Sequence, residues 1–280
     1  MKLTVLPSTE HTVIQTFITS SKSYPQMGDL ALHEDGQERF AIVLRKEGQI
    51  LGGAVASISL DWAYVGTLWV DDSLRGQGVG RRLMMAVESY AHQKGLNGVY
   101  LYTIDFQAPE FYRKIGYNVM GTLPNRPQAH TATYYAKMAL ATDALTNEFE
   151  IENPVLEKTS SLLGAGLDHD AQAVAPIISH ERLFLLQTDD GITQGGLLGH
   201  EFWGWLEVHL SYATSNDGLV QILEGVESFC DEHQLGMLLP AYHEAYHQLL
   251  EDRGYQRWST LQNRPTGTLC TFWIRPASNS

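Results

Sequence analysis

A chain of 280 residues, 44% hydrophobic and 18% charged, has ordinary globular composition and the length of two medium domains. Its formal net charge is −13, and the excess lies in the C-terminal half: residues 1–147 hold 13 Lys+Arg against 13 Asp+Glu, the remainder 6 against 19. That balance argues against nucleic-acid and acidic-membrane partners, each of which needs a basic face; with no apolar run near the about 20 residues of a membrane span and no signal-like N-terminus, a cytoplasmic protein is expected.

Leu3 to Leu6 predicts a short strand, and Glu10 to Thr19 a helix capped by Ser8 or Thr9, followed by helix-loop material to Gly28. Arg39 to Arg45, a turn at Lys46-Glu47-Gly48-Gln49, and Ile50 to Leu60 form the pattern of a β-hairpin. The β-branched and aromatic run Tyr64 to Val70 is a further strand. After it, Val79, Leu83, Met84, Val87, Tyr90 and Ala91 recur at helical spacing between Val79 and Lys94. Val99 to Thr103 (strand), Pro109 to Lys114 (helix), Asn118 to Thr122 and Tyr134 to Met138 (strands) complete the first half. Cys230 and Cys270 form no C-x-x-C pair, and reduced, buried thiols are expected.

The most specific stretch is Arg75-Gly76-Gln77-Gly78-Val79-Gly80-Arg81-Arg82, at the junction of a strand and a helix. Glycines there let a ligand approach the backbone, the first-turn N–H groups and the helix dipole favour an anion, and three arginines add charge. In chemical terms this is a pyrophosphate cradle, although a purely structural glycine turn uses the same residues. A Walker loop and a Rossmann turn are excluded, since neither Gly-Lys-Ser/Thr nor G-x-G-x-x-G is present. What remains, R-x-x-G-x-G at Arg75, Gly78 and Gly80, resembles the acyl-CoA motif of the GNAT N-acetyltransferase superfamily. The resemblance implies that pantetheine runs along Leu68-Trp69-Val70, that a backbone N–H there polarises the acyl carbonyl, and that Arg75, Gly76, Gln77, Gly78, Val79, Gly80 and Arg81 hold the pyrophosphate.

A second segment, Ala108-Pro109-Glu110-Phe111-Tyr112-Arg113-Lys114-Ile115-Gly116-Tyr117, is similar to the superfamily's A-x-x-F-Y-x-K-x-G-F/Y signature. The resemblance implies that Tyr112 bonds the CoA sulfur and protonates the leaving thiolate, a transfer that a phenol of pKa about 10 can make to a thiolate of pKa about 8.5; the alternative is a Tyr packed on the next strand. Where many members carry Asn this chain has Asp105, which when ionised cannot donate a hydrogen bond and becomes a contact for a substrate amine. Glu38, Asp105 and His130 are candidates for the base, His130 otherwise being an exposed loop residue.

The chain also repeats itself. Glu38-Arg39-Phe40, Gly48 and Gly52-Gly53 recur as Glu181-Arg182-Leu183, Gly191 and Gly195-Gly196 at an offset of 143. Gly116-Tyr117, Asn125-Arg126-Pro127 and Thr133-Tyr134-Tyr135 recur as Gly254-Tyr255, Asn263-Arg264-Pro265 and Thr271-Phe272-Trp273 at 138. In the copy, Ala213 to Leu219 stands over the cradle with a single glycine, no basic residue and Asp217, while Leu250 replaces Tyr112. His243-Glu244-Ala245-Tyr246-His247 is a literal H-E-x-x-H, but it aligns with Asp105 to Pro109 and lacks a third ligand at a suitable spacing, so no metal is expected.

The expectation is an α+β chain of two tandem GNAT-like domains, each a mixed, mostly antiparallel twisted sheet flanked by helices: 1–145 catalytic, 146–280 degenerate. The implied function is an acyl-CoA-dependent N-acyltransferase carrying the acetyl group of acetyl-CoA to the primary amine of a small molecule by direct attack, with Tyr112 and Asp105 at the reacting centre. A non-catalytic acyl-CoA-binding or sensing protein is the alternative. The C-terminal half has three roles open to it: closing the substrate site, forming a homodimer surface, or presenting acidic residues to a cationic amine.

Overall fold

The computed structural model describes residues 1–7, 11–21, 26–28, 38–172 and 179–278. The chain runs through β1 (Lys2–Pro7), α1 (His11–Ser21), β2 (Gln26–Gly28), β3 (Glu38–Lys46), β4 (Gln49–Ser59), β5 (Trp62–Val70), α2 (Val79–Gln93), β6 (Gly98–Ile104), α3 (Pro109–Lys114), β7 (Asn118–Pro124) and β8 (Thr131–Lys137). It continues through β9 (Glu150–Glu152), α4 (Glu157–Gln172), β10 (Ser179–Gln187), β11 (Thr193–Phe202), β12 (Trp205–Ala213), α5 (Asn216–His233), β13 (Gly236–Ala241), α6 (Glu244–Asp252), β14 (Gln256–Gln262) and β15 (Leu269–Arg275). The elements expected in the first half all form. Ser8 and Thr9, expected to cap α1, lie outside the described residues. A strand, β2, stands where a loop was expected, because its ladder is made with a distant strand rather than by local pattern.

Two sheets result. One has the order β7-β8-β6-β5-β4-β3-β9; the other has β1-β10-β11-β12-β13-β15-β14, with β2 on β12. The compact units do not divide at residue 145. One comprises Glu34–Ile177 with Gln262–Thr268 and contains the glycine-rich turn; it is called the cradle unit below. The other, the companion unit, comprises Met1–His33, Ile178–Leu261 and Leu269–Ser280. The difference from the expected boundary is a reciprocal exchange: the opening strand and helix of each repeat join the other repeat's sheet. β1 lies antiparallel to β10, and β9 lies antiparallel to β3.

The exchanged helices explain the repeated double glycine. In the cradle unit, Leu163 of α4 packs with Ala41, Val43, Ile50 and Val55; a Cβ at Gly53 would stand 2.8 Å from its side chain. In the companion unit, Ile14 and Phe17 of α1 pack with Leu183, Leu185, Leu198 and Leu210, and a Cβ at Gly196 would stand 2.8 Å from Phe17. Only glycine permits so close a seat for a helix on the sheet.

On the other face of the cradle sheet, α2 buries Val79, Leu83, Met84, Val87, Tyr90 and Ala91 against Phe40, Ile42, Ala63, Val99 and Leu101. The hairpin turn between β3 and β4 has Glu47 at φ 49° and Gly48 at φ 81°, the left-handed pair that matches strand twist. Trp62, fully buried at the start of β5, lies over Gly98 at the start of β6, where a Cβ would meet the indole at 2.3 Å. The companion unit repeats this pairing with Trp205 and Gly236. Arg264 of the segment Gln262–Thr268 donates Nη2 to the hydroxyls of Tyr100 at 2.9 Å and Ser59 at 3.2 Å.

Gly98→Ala is expected to destabilise the chain by about 1–3 kcal/mol through overpacking against Trp62, measured by urea unfolding. A fragment of residues 1–145 lacks β9 and α4, so the faces of Ala41, Val43 and Val55 lose their cover. It is expected to be insoluble or to melt without cooperativity, whereas the full chain melts cooperatively in circular dichroism.

Candidate active site

The site begins where two strands part. β5 and β6 are parallel and paired at Trp62 with Gly98, Ala63 with Val99 and Tyr64 with Tyr100, and no further. Beyond that point β5 follows β4 to Val70 and β6 follows β8 to Ile104. A bulge at Gly66, opposite Val55 and Ala56, turns β5 away. Asp71 donates its amide to the Leu51 carbonyl at 2.9 Å, so by the two-residue period of a strand Trp69 and Thr67 face β4, while Leu68 and Val70 direct N–H and C=O into the opening. The side chains divide likewise: Leu68 and Val70 pack on the α2 core, whereas Trp69 lies towards α4, its indole 2.4 Å from where a Cβ at Gly166 would be.

At the end of β5, Asp71 caps a single 3₁₀ turn at Asp72–Leu74, accepting from the Ser73 amide at 3.0 Å and its hydroxyl at 2.6 Å. Gly76 (φ 75°) and Gly78 (φ 73°) then adopt left-handed conformations that reverse the chain into α2. Gly78 is the cap residue and no side chain caps the helix, which leaves the first-turn amides of Val79, Gly80 and Arg81 free for a ligand. Arg75 braces the turn, its Nε donating to the Val70 carbonyl at 3.1 Å beside Asp72 at 3.0 Å. Gln77 folds its amide onto the Ser73 carbonyl, and Arg82 pairs with Glu148 at 2.9 Å. Arg81 is exposed. An open strand edge leading to an uncapped helix N-terminus fits the amides and the pyrophosphate of acyl-CoA.

Short α3 stands beside the cradle: the Phe111 ring is 3.5 Å from where a Cβ at Gly80 would be. Tyr112 is buried in the α2 core with Phe111, Tyr117 and Tyr135 around it. Burial, reinforced by Tyr135, pushes its phenol well above the usual range, so it stays protonated. The opposite lip of the opening carries Asp105, directly after β6. Its Oδ1 lies 2.7 Å from His130 Nδ1, and its Oδ2 accepts from the Thr131 amide at 2.9 Å. Burial pushes the Asp105 carboxyl up, but the Thr131 amide and His130 outweigh it and hold the group below its ordinary value. Gln107 fixes the turn, its Oε1 accepting from Thr103 and the Ile104 amide, both at 3.0 Å. Glu38 stands apart. It is tied to Lys94 and Asn153, each at 2.8 Å, at the far end of α2 from the cradle, about 22 Å along a helix of this length.

The companion unit closes each of these features. β12 and β13 part after the same three pairs, but β2 fills the space, pairing with Leu210, Ser211 and Tyr212 of β12. Ser215 caps α5, its hydroxyl accepting from the Gly218 amide at 3.1 Å. Leu250 is buried where the cradle unit has Tyr112. In the H-E-x-x-H segment the two histidines face different rings, His243 that of Tyr246 and His247 that of Trp273. Cys230 and Cys270 form no disulfide and are buried, and burial pushes the Cys230 thiol up to about 12.

The profile of the Acetyltransferase (GNAT) family matches residues 10–117. The blasticidin-S acetyltransferase of Streptomyces morookaense is 37% identical over 93 residues, a stretch spanning 33% of this chain and 68% of that protein. The chain belongs to the GNAT acetyltransferase family. Acetyltransferase Atu2258 of Agrobacterium fabrum is 28% identical over 105 residues, 37% of this chain and 77% of its own. A crystal structure of a Bacillus cereus acetyltransferase is 29% identical with a TM-score of 0.38, covering 45% of this chain and 89% of that one. As a member of that family, this GNAT chain is an acetyltransferase. The matched stretch includes α1, which folds with the companion unit. No helix among the described residues is long and apolar enough to cross a membrane.

Calorimetric titration with CoA is expected to find one site per chain, since β2 takes the equivalent place in the companion unit. Gly78→Val, which forces a β-branched residue into the left-handed region at a cost of about 1–2 kcal/mol, is expected to weaken CoA binding by about tenfold.

Proposed function

We propose that the cradle unit transfers the acetyl group of acetyl-CoA to the primary amine of a small molecule. The observation that supports it above all is the open edge of β5, running from Leu68 to Val70 into an uncapped helix N-terminus flanked by glycines. A peptide-like pantetheine pairs with such an edge as an added strand does, and a pyrophosphate has the charge that the helix terminus attracts. Gly76, Gln77, Gly78, Val79, Gly80 and Arg81 line that terminus, and Arg75 holds its shape. Acetyl-CoA supplies an activated acyl group: its C–S bond breaks as the C–N bond to the amine forms, and CoA leaves as the thiol.

The chain's own groups serve that exchange. The Val70 amide, aimed into the opening, is a donor for charge developing on the carbonyl oxygen. Tyr112, kept protonated by burial, is the acid for the departing sulfur. Asp105 places negative charge on the acceptor's lip, which favours a cationic amine. The relative at 37% identity is named as an acetyltransferase of blasticidin-S, which supports a small-molecule acceptor.

The test is turnover of acetyl-CoA by the full chain over a panel of polyamines, aminoglycosides and nucleoside amines, followed by thiol release and product mass. Tyr112→Phe is expected to lower kcat by about 10²–10⁴-fold while leaving acetyl-CoA affinity unchanged. Tight binding of acetyl-CoA without transfer to any amine, in wild type, would instead support a binding or sensing protein.

A further inference from the structure

We infer that His130 is the base that takes the proton from the acceptor amine and that Asp105 is the residue that positions it. This rests on the function proposed above. A primary amine is an ammonium ion near neutral pH and has no lone pair for attack until a proton is removed. Of the three acidic or basic candidates, Glu38 is engaged at the far end of α2. Asp105 is held ionised by His130 on Oδ1 and the Thr131 amide on Oδ2, which makes it the weaker base. The imidazole is the group with a nitrogen to spare.

The Asp105 carboxylate, an acceptor only, fixes the ring's proton on Nδ1 and so leaves Nε2 with its lone pair. The edge-on ring of Phe106, 4.9 Å away, sets the plane of the imidazole, and the side chain is 29% exposed. The pair is brought together because β8 begins at Thr131 beside the end of β6, pairing Ala132 with Ile104. Both residues therefore stand at the C-terminal end of β6, the strand that bounds the opening on the side away from β5. Asp105 is the charged side chain in contact with the imidazole among the described residues. Arg126 touches His130 through its backbone amide, while its guanidinium lies over the rings of Tyr102 and Tyr134, at 5.2 and 5.9 Å.

The copy supplies an independent observation. At the offset of 138, His243 and Thr268 stand in the places of Asp105 and His130, so no such pair exists there. The neighbouring Asn125-Arg126-Pro127 is nevertheless kept as Asn263-Arg264-Pro265, with both arginines fully buried. The loop is thus a requirement of the fold, and the Asp–His pair is not. It is missing from the unit that has also lost the cradle and the tyrosine. In the step itself an N–H bond of the ammonium breaks with its electron pair left on nitrogen, the proton arrives on Nε2, and the imidazolium rests against Asp105 until it releases that proton to solvent.

The test uses the full chain with acetyl-CoA and the best amine of the panel, with His130→Ala, His130→Gln and Asp105→Asn. Both His130 variants are expected to lose about 10²–10⁴-fold in kcat/KM for the amine while binding acetyl-CoA as wild type does, and to lose the acid limb of the pH–rate profile. Added imidazole is expected to restore part of the rate of His130→Ala and none of that of Tyr112→Phe. Asp105→Asn is expected to slow turnover with acetyl-CoA affinity intact and without rescue by imidazole. An active wild type whose His130→Ala variant keeps its rate, or is indifferent to imidazole, overturns the inference alone. A wild type that binds acetyl-CoA and acetylates no amine overturns the function and this inference together.

Discussion

The parting of β5 from β6 is the constraint on which the cradle unit depends. Trp62 packed on Gly98 clamps the strands where they start, and the bulge at Gly66 swings β5 away three pairs later. Backbone N–H and C=O groups inside a sheet cannot be left without partners, so an opened ladder must be completed by something. The two units meet that requirement differently. In the companion unit the chain's own β2 completes β12. In the cradle unit the ladder side of Leu68 and the Val70 amide are left for a ligand, the Val70 carbonyl being taken by Arg75, and the strand ends at a helix terminus that no side chain caps.

From that opening the placement of the other groups follows. α2 begins at its floor, α3 lies against Gly80 and carries Tyr112, and the end of β6 sets Asp105 on the far lip. The acid is buried and the carboxylate is half-exposed, so one environment keeps a phenol protonated while the other keeps a carboxyl ionised. Burial sets the first of these proton states, and the hydrogen bonds from Thr131 and His130 set the second.

The exchange of opening strands and helices makes each repeat incomplete without the other. α4, encoded in the second repeat, covers the cradle sheet beside Trp69, and its close seat on Gly53 matches that of α1 on Gly196. What both repeats retain is architectural: the Trp–Gly clamp, the double glycine and the buried arginine of the Asn-Arg-Pro loop. What one alone retains is chemical. Three of the acidic residues that follow residue 147, Glu148, Glu150 and Glu152, fold into the cradle unit and are paired there with Arg82 and Arg45.

Local physics is written in the residues themselves. The apolar spacing of α2, the turn at Glu47-Gly48 and the glycines before Val79 could each be read from the chain, because each depends on neighbours a few positions away, and the repeat with its missing tyrosine could be read by comparing the chain with itself. The choice of partner could not. β1 has the same alternation whichever sheet it joins, and nothing in Gln26–Gly28 marks it as the strand that fills β12. Asp105 and His130, a carboxylate and a loop histidine in the sequence, become a pair only because β8 returns alongside β6. Side-chain pattern determines what an element is; the edge on which its backbone hydrogen bonds are completed is decided only when the whole chain has folded.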